Sequence, residues 1–99
     1  MPETFQDIIQ RETPTLVDFY AEWCGPCKTM APILEDLKSQ LGESAKIIKI
    51  DIDKNQQAAS AFQIRSVPTL LLFKQGKVVW RQSGVIPAIE LKNLVERFR

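Results

Sequence analysis

The chain has no histidine. That excludes a His-activated serine or cysteine nucleophile, an imidazole metal ligand and an imidazole proton shuttle. Only two cysteines occur, Cys24 and Cys27, too few soft ligands for one chain to build a structural zinc site or an iron–sulfur cluster. A charge surplus is missing too: 13 Lys+Arg stand against 12 Asp+Glu, for a net charge of +1. Bulk electrostatics therefore draw it neither to nucleic acid nor to an anionic membrane. No long apolar run exists. The best stretch, Val67 to Phe73, is interrupted by Pro68 and Thr69 and falls far short of the ~20 residues a bilayer requires. The start, Met1-Pro2-Glu3-Thr4-Phe5-Gln6-Asp7, lacks the basic and then apolar pattern of an export signal. The expected compartment is the cytoplasm, or the periplasm if a signal has been trimmed. Repeats, low-complexity tracts and linkers are also absent. Across 99 residues, with 44% apolar and 25% charged side chains, the expectation is one globular domain over residues 1–99.

Hydrophobic spacing predicts the elements. Phe5, Ile8 and Ile9 suit a short helix from about Glu3 to Arg11, broken by Thr13-Pro14. Leu16 to Ala21 is nearly continuous in apolar and aromatic residues, as in a strand covered on both faces. Cys27, Met30, Ala31, Leu34, Leu37 and Leu41 keep a helical period that Gly42 ends. Pro32 lies inside that helix and should kink it. Lys46 to Ile52 reads as a second strand, and Asn55 as the cap of a short helix carrying Ala58, Ala59, Ala61 and Phe62. Thr69 to Lys74 and Val78 to Gln82 form a hairpin through Gln75-Gly76. Pro87 suits the first turn of a last helix, whose apolar stripe is Ile89, Leu91, Leu94, Val95 and Phe98. The order α–β–α–β–α–β–β–α implies an α/β fold: one parallel β-α-β unit, an antiparallel hairpin, and helices on both faces of a mixed sheet.

Cys24 follows the first strand, and Gly25-Pro26 leads into the long helix. A cysteine there meets free backbone N–H groups and the positive end of the helix dipole, which favour a thiolate. Cys27 lies one turn further in and is expected to be less exposed. The pair reads as an asymmetric dithiol, an outer nucleophile with an inner partner that closes a disulfide. The alternative is a structural disulfide or two buried thiols. So short a loop constrains the unfolded chain little, and Trp23 and Gly25 at a strand–helix junction make a poor setting for core filling. Asp18 interrupts the first strand's apolar run; a buried carboxylate there must be paired or protonated, unless the strand lies at an edge with Asp18 in water. Trp23 suits either a docking surface or partial core burial, and Trp80 reads as packing.

Trp23-Cys24-Gly25-Pro26-Cys27-Lys28, preceded by Val17-Asp18-Phe19-Tyr20-Ala21-Glu22, closely resembles the active-site segment of the thioredoxin family. The resemblance runs on through Lys49-Ile50-Asp51-Ile52-Asp53, Val67-Pro68-Thr69, Phe73-Lys74-Gln75-Gly76 and Gly84. It implies a thioredoxin fold and a thiol–disulfide oxidoreductase that reduces protein disulfides. Cys24 is then the nucleophile, Cys27 the resolving thiol, Asp18 the buried acid and base, and Lys49 its partner. The Val67-Pro68 bond is expected to be cis, packed against the cysteines. Trp23, Gly25, Pro26, Val67 and Gly84 would form the substrate-docking surface. The implied partners are disulfide-bearing client proteins and an electron donor of the thioredoxin-reductase type, with no bound cofactor and no metal. Gly25-Pro26 brings no histidine charge to stabilise the reduced form, so the pair is expected to donate electrons. Rival readings are an oxidase or isomerase, a binding module, and a pair holding a metal between two chains.

The sequence departs from the family pattern at Tyr20, where tryptophan is common, and at Ser66, where glycine is frequent. Its start also leaves little room for the strand that usually precedes the first helix. Four strands are therefore expected, with Lys46 to Ile52 as an open edge. An open edge invites pairing with another molecule unless it is short or charged. Lys46 supplies a charge, and a monomer is expected; a strand over Met1 to Thr4 would contradict this.

Overall fold

The computed structural model describes residues 4–99. Its elements are α1 (Phe5–Ile9), β1 (Thr15–Tyr20), α2 (Gly25–Leu41), a 3-10 turn (Gly42–Ser44), β2 (Lys46–Asp51), α3 (Gln56–Ala61), β3 (Thr69–Lys74), β4 (Lys77–Ser83) and α4 (Ala88–Phe98). The described residues form one four-stranded sheet in the order β2-β1-β3-β4, with β1 parallel to β2 and antiparallel to β3, and β3 antiparallel to β4. This is the mixed sheet that the order of elements predicts. A further strand over Met1 to Thr4 falls outside the described residues, except that Thr4 caps α1: its hydroxyl accepts from the Asp7 N–H, and the Asp7 carboxylate accepts from the Thr4 N–H.

Apolar side chains on alternate sides of the strands build two cores. On one face Leu16, Leu70 and Leu72 pack under Met30, Leu34 and Leu37 of α2 and Leu91, Leu94 and Val95 of α4, with Val79 and Trp80 of β4 at the margin. On the other, Ile9, Val17, Phe19, Leu71 and Phe73 meet Phe5 of α1, Ala58 of α3 and Phe62 just past the end of α3. Phe62 sits edge-on to both Phe5 and Phe73, at centroid distances of 5.7 and 5.3 Å, a favoured aromatic arrangement. The β3–β4 turn has positive φ at Gln75 (52°) and Gly76 (82°), as a two-residue hairpin with the native strand twist demands. Its N–H groups donate back to Arg11 and Ile9 carbonyls. No helix among the described residues is long and apolar enough to cross a membrane.

Local details differ from expectation. α1 is one short helix ending at Ile9, because apolar spacing gives out after that residue. α2, by contrast, runs as one helix with Pro32 inside it, as the spacing predicts. Its inward face, from Cys27 to Leu41, is buried against the sheet, and that packing outweighs one lost backbone bond. Asn55 is the N-cap of α3 as expected, its carbonyl accepting from the Ala59 N–H, but its side chain makes no capping bond; its amide instead donates to the Asp51 carbonyl at 3.0 Å. Pro87 stands at the N-cap of α4, with extended backbone (φ −61°, ψ 148°), one residue ahead of the first turn.

Candidate functional site

The site forms where β1 leaves the sheet. After Tyr20 the chain turns tightly, with the Cys24 N–H donating to the Ala21 carbonyl at 3.2 Å. Cys24 is the N-cap of α2 in an extended conformation (φ −91°, ψ 114°), and Gly25 and Pro26 open the helix. Proline costs nothing there, since that N–H has no helical acceptor. Cys24 and Cys27 are joined as a disulfide, with their Cα atoms 5.3 Å apart. The Cys27 N–H donates to Cys24 Sγ at 3.1 Å. This is a capping contact, and it aims a backbone donor and the helix dipole at Cys24's sulfur.

The two cysteines do not differ in exposure: each is 4% accessible. The expected outer and inner pair is thus corrected for this oxidised form, in which ring closure and the neighbouring Tyr20, Ile52 and Val67 cover both. What separates them is their surroundings. Cys24 Sγ lies 3.5 Å from the Val67 carbonyl oxygen. Cys27 instead lines a cleft of about 180 Å³ with Tyr20, Ala21, Glu22, Lys28, Ala31 and Lys49.

The Val67-Pro68 bond is cis, the geometry that the resemblance implies. Its loop is anchored on both sides. The Gly84 N–H donates to the Pro68 carbonyl at 2.9 Å. The Thr69 hydroxyl lies 2.7 Å from the Ser66 carbonyl and 2.8 Å from the Ser83 hydroxyl, and Ser66 and Ser83 are themselves in hydrogen-bond contact. Gly84 has φ +99°, a conformation open to glycine and strained for other residues. Gly25 has no such backbone constraint, and a Cβ there would meet nothing within 4 Å. Its contribution is an open surface beside Cys24.

Trp23 is 69% exposed, which settles it outside the core. Its indole Nε1–H donates to Asp53 at 2.9 Å, and the Asp53 N–H donates to the buried Asp51 carboxylate at 2.8 Å. Asp53 thus fixes the indole, a part that sequence reasoning did not assign. The alternation Asp51-x-Asp53-x-Asn55 after a strand was the available signal, since such side chains bond to nearby backbone in turns.

Asp18 is fully buried, and neither carboxylate oxygen has a hydrogen-bond partner among the described residues. Being in the central strand β1, it is not an edge residue. By alternation it shares the face of Leu16, beneath α2. Burial pushes its pKa up from 3.8 to about 6, while the positive charge of Lys49 holds it back. Lys49 is paired with Asp18 in the β1–β2 register, yet the residue is exposed and makes no ion pair with Asp18. The ammonium instead rests 4.6 Å from the centroid of the Tyr20 ring. A salt bridge with Asp18 would have to strip water from the ammonium, and the edge position of β2 leaves it free to stay hydrated.

Two wider clefts, of about 670 and 620 Å³, share Thr13 and Glu43 and lie at the other end of the sheet, by Lys46 of β2 and Lys74 of β3. They hold none of these residues.

Comparison with known proteins bears on all of this. The family model described as Thioredoxin matches residues 1–97. A thioredoxin of Haemophilus influenzae is 42% identical over 90 residues, covering 91% of this chain and 84% of that protein. The thioredoxin of Bacillus subtilis is 46% identical over 86 residues, covering 87% and 83%. Among solved structures, a mutant thioredoxin from Halobacterium salinarum superposes with a TM-score of 0.86 at 42% identity, over 94% of this chain and 80% of that one. Fasciola hepatica thioredoxin gives 0.82 at 33% identity, over 91% and 85%. A match of this breadth, on a chain whose paired cysteines cap a helix beside a cis-proline loop, makes this chain a member of the thioredoxin family: a thiol–disulfide oxidoreductase that reduces protein disulfides, with disulfide-bearing proteins as its substrates and a thioredoxin reductase as its general electron source.

Proposed function

We propose that Cys24 is the attacking thiol and Cys27 the resolving one, in a single domain spanning residues 1–99. The observation that carries this reading is the Cys27 N–H aimed at Cys24 Sγ from the first turn of α2. A thiolate gains from such a donor and from the helix dipole, and Cys24 alone receives both. The reduced pair begins the cycle. Cys24 thiolate attacks one sulfur of a client disulfide, a Cys24–client bond forms, and the client's other sulfur leaves as thiolate. Cys27 thiolate then attacks Cys24 Sγ, closing the Cys24–Cys27 disulfide and expelling the second client thiolate. Two electrons pass to the client, and a reductase returns two.

Asp18 takes the Cys27 proton and gives it back. With no histidine in the chain, a carboxyl whose pKa stands near 6 is the group best matched to that task near neutral pH. Lys49 moderates that pKa. Pro68 sets the loop so that the Val67 backbone can bond an extended client segment, while Trp23, Gly25, Pro26, Val67 and Gly84 surround Cys24 as its docking surface. The protein acts as a monomeric electron carrier in the cytoplasm. The reducing direction supports that compartment, and the charge of Lys46 on the β2 edge supports the monomer.

Trapping tests the assignment of the thiols. Cys27→Ser should accumulate stable mixed disulfides with client proteins, whereas Cys24→Ser should not. Alkylation of the reduced wild type should modify Cys24 first; faster modification of Cys27 would reverse the assignment.

A further inference from the structure

The Lys49 ammonium has a particular resting place. Among the described residues it makes no ion pair within 4.0 Å and no side-chain hydrogen bond. Its contact is the face of the Tyr20 ring, 4.6 Å from the centroid. A solvated lysine on an edge strand samples many rotamers, and an aromatic face selects the few that place the charge over its negative quadrupole. Tyr20 is the last residue of β1, two along from Asp18, and so projects from the same side of the sheet. Both Tyr20 and Lys49 line the small cleft that also reaches Cys27. The ring therefore holds the positive charge that opposes the effect of burial on Asp18.

We propose that Tyr20 is a positioning residue of the proton-transfer machinery: its ring holds the Lys49 ammonium at the rim of the cleft and thereby sets the protonation behaviour of Asp18. The other groups on this side of the sheet do not replace Lys49. Glu22 from the β1–α2 turn and Cys27 and Lys28 from α2 line the same cleft. β3 presents Leu70 opposite Asp18, and α4 brings Leu91, Leu94 and Val95 to this face. Burial pushes the Asp18 carboxyl toward its neutral form, and the held cation opposes it. Released into water, Lys49 would oppose it less, and the carboxyl would bind its proton more tightly.

The proposal rests on the reading of Asp18 as proton acceptor for its functional meaning, but not for its test. The Asp18 carboxyl is titrated by carbon NMR in the oxidised protein, which reads protonation without any exchange reaction. Tyr20→Leu should raise the midpoint by about half a pH unit. Tyr20→Phe, which keeps the ring, should leave it near the wild-type value. In a Lys49→Gln background, Tyr20→Leu should have no further effect. Pentafluorophenylalanine at position 20 keeps the shape and reverses the quadrupole, so it should act like leucine even if the leucine variant folds poorly. An unmoved midpoint, or a shift of equal size with Lys49 absent, overturns the proposal. If the midpoint moves as expected while the pH profile of disulfide exchange does not, the Tyr20–Lys49 clamp stands and the role of Asp18 in exchange fails.

Discussion

Asparagine at position 18 would keep the shape of the carboxyl group and remove its charge. The two states of the wild-type group set what should follow. Asp18 is fully buried, and burial raises its pKa from 3.8 to about 6 against the pull of Lys49. Below about pH 4 the carboxyl is neutral in both the folded and the unfolded chain, so the stability difference between wild type and Asp18→Asn should not depend on pH there. Between about pH 4 and 6 the unfolded chain loses its proton first. It then binds fewer protons than the native chain, and wild-type stability falls as pH rises. Above about pH 6 the native carboxyl ionises as well, and the loss is complete. A displacement of about two pH units, at about 1.4 kcal/mol each, makes that loss about 3 kcal/mol. The variant cannot ionise at this position. Its stability relative to wild type should therefore rise by about 3 kcal/mol between about pH 4 and about pH 7. Denaturant unfolding of the two oxidised proteins across this range reads the difference directly, because every other carboxylate contributes equally to both. A constant difference across the window would refute the reasoning, since it would mean that Asp18 titrates alike in native and unfolded chains.

Two more expectations concern the backbone. Gly84→Ala should cost about 1–2 kcal/mol, read as a lower denaturant midpoint: φ is +99° while the added Cβ meets nothing within 4 Å, so the penalty is conformational and not steric crowding. An unchanged midpoint would show that the loop relaxes freely. On β2, the N–H groups of Lys46 and, just past its end, Ile52 donate to Pro14 and Tyr20 carbonyls, so by alternation those of Ile47 and Lys49 point away from β1. These two amides should exchange with solvent faster than those of Leu16 to Tyr20; equal protection would mean that something covers this edge.

Much of the architecture could be read from the chain because local and global signals agree. Gln75-Gly76 demands a tight hairpin, the apolar run of β1 demands cover on both faces, and both are found. The errors lie where two local preferences compete. The Asn55 side chain can cap a helix or bond back to its own turn, and it does the latter. Pro87 is suited both to a first helical turn and to the extended residue before it, and only the packing of α4 decides. At the site, Cys24, Cys27 and Asp18 were legible because each is an unusual residue for its position, whereas the cis Val67-Pro68 bond was legible only through the family resemblance. The Asp53 grip on Trp23 and the placing of Lys49 over Tyr20 were not. The Asp51-x-Asp53-x-Asn55 alternation signals a turn, but the side-chain directions that bring Asp53 to Trp23 and Lys49 to Tyr20 cross between elements and are not encoded in spacing along the chain. The equal cover of the two cysteines likewise follows from residues far away in sequence, such as Val67.

The sheet partitions the interior, and the partition bears on how such a chain can diverge. Leu70 and Leu72 serve one core, Leu71 and Phe73 the other, and the two buried clusters share no member. Substitutions in separate clusters that lie far apart have no side-chain partners in common, so their energetic effects should sum, whereas neighbours along β3 such as Leu70 and Leu71 share backbone and can couple. Each side can thus drift on its own, with compensation found locally. The cysteines belong to neither side; with Ala21 they form a third small cluster, joined to the rest through residues such as Ile52, which also touches the α3 side. Fasciola hepatica thioredoxin keeps the same frame, at a TM-score of 0.82, with 33% identity.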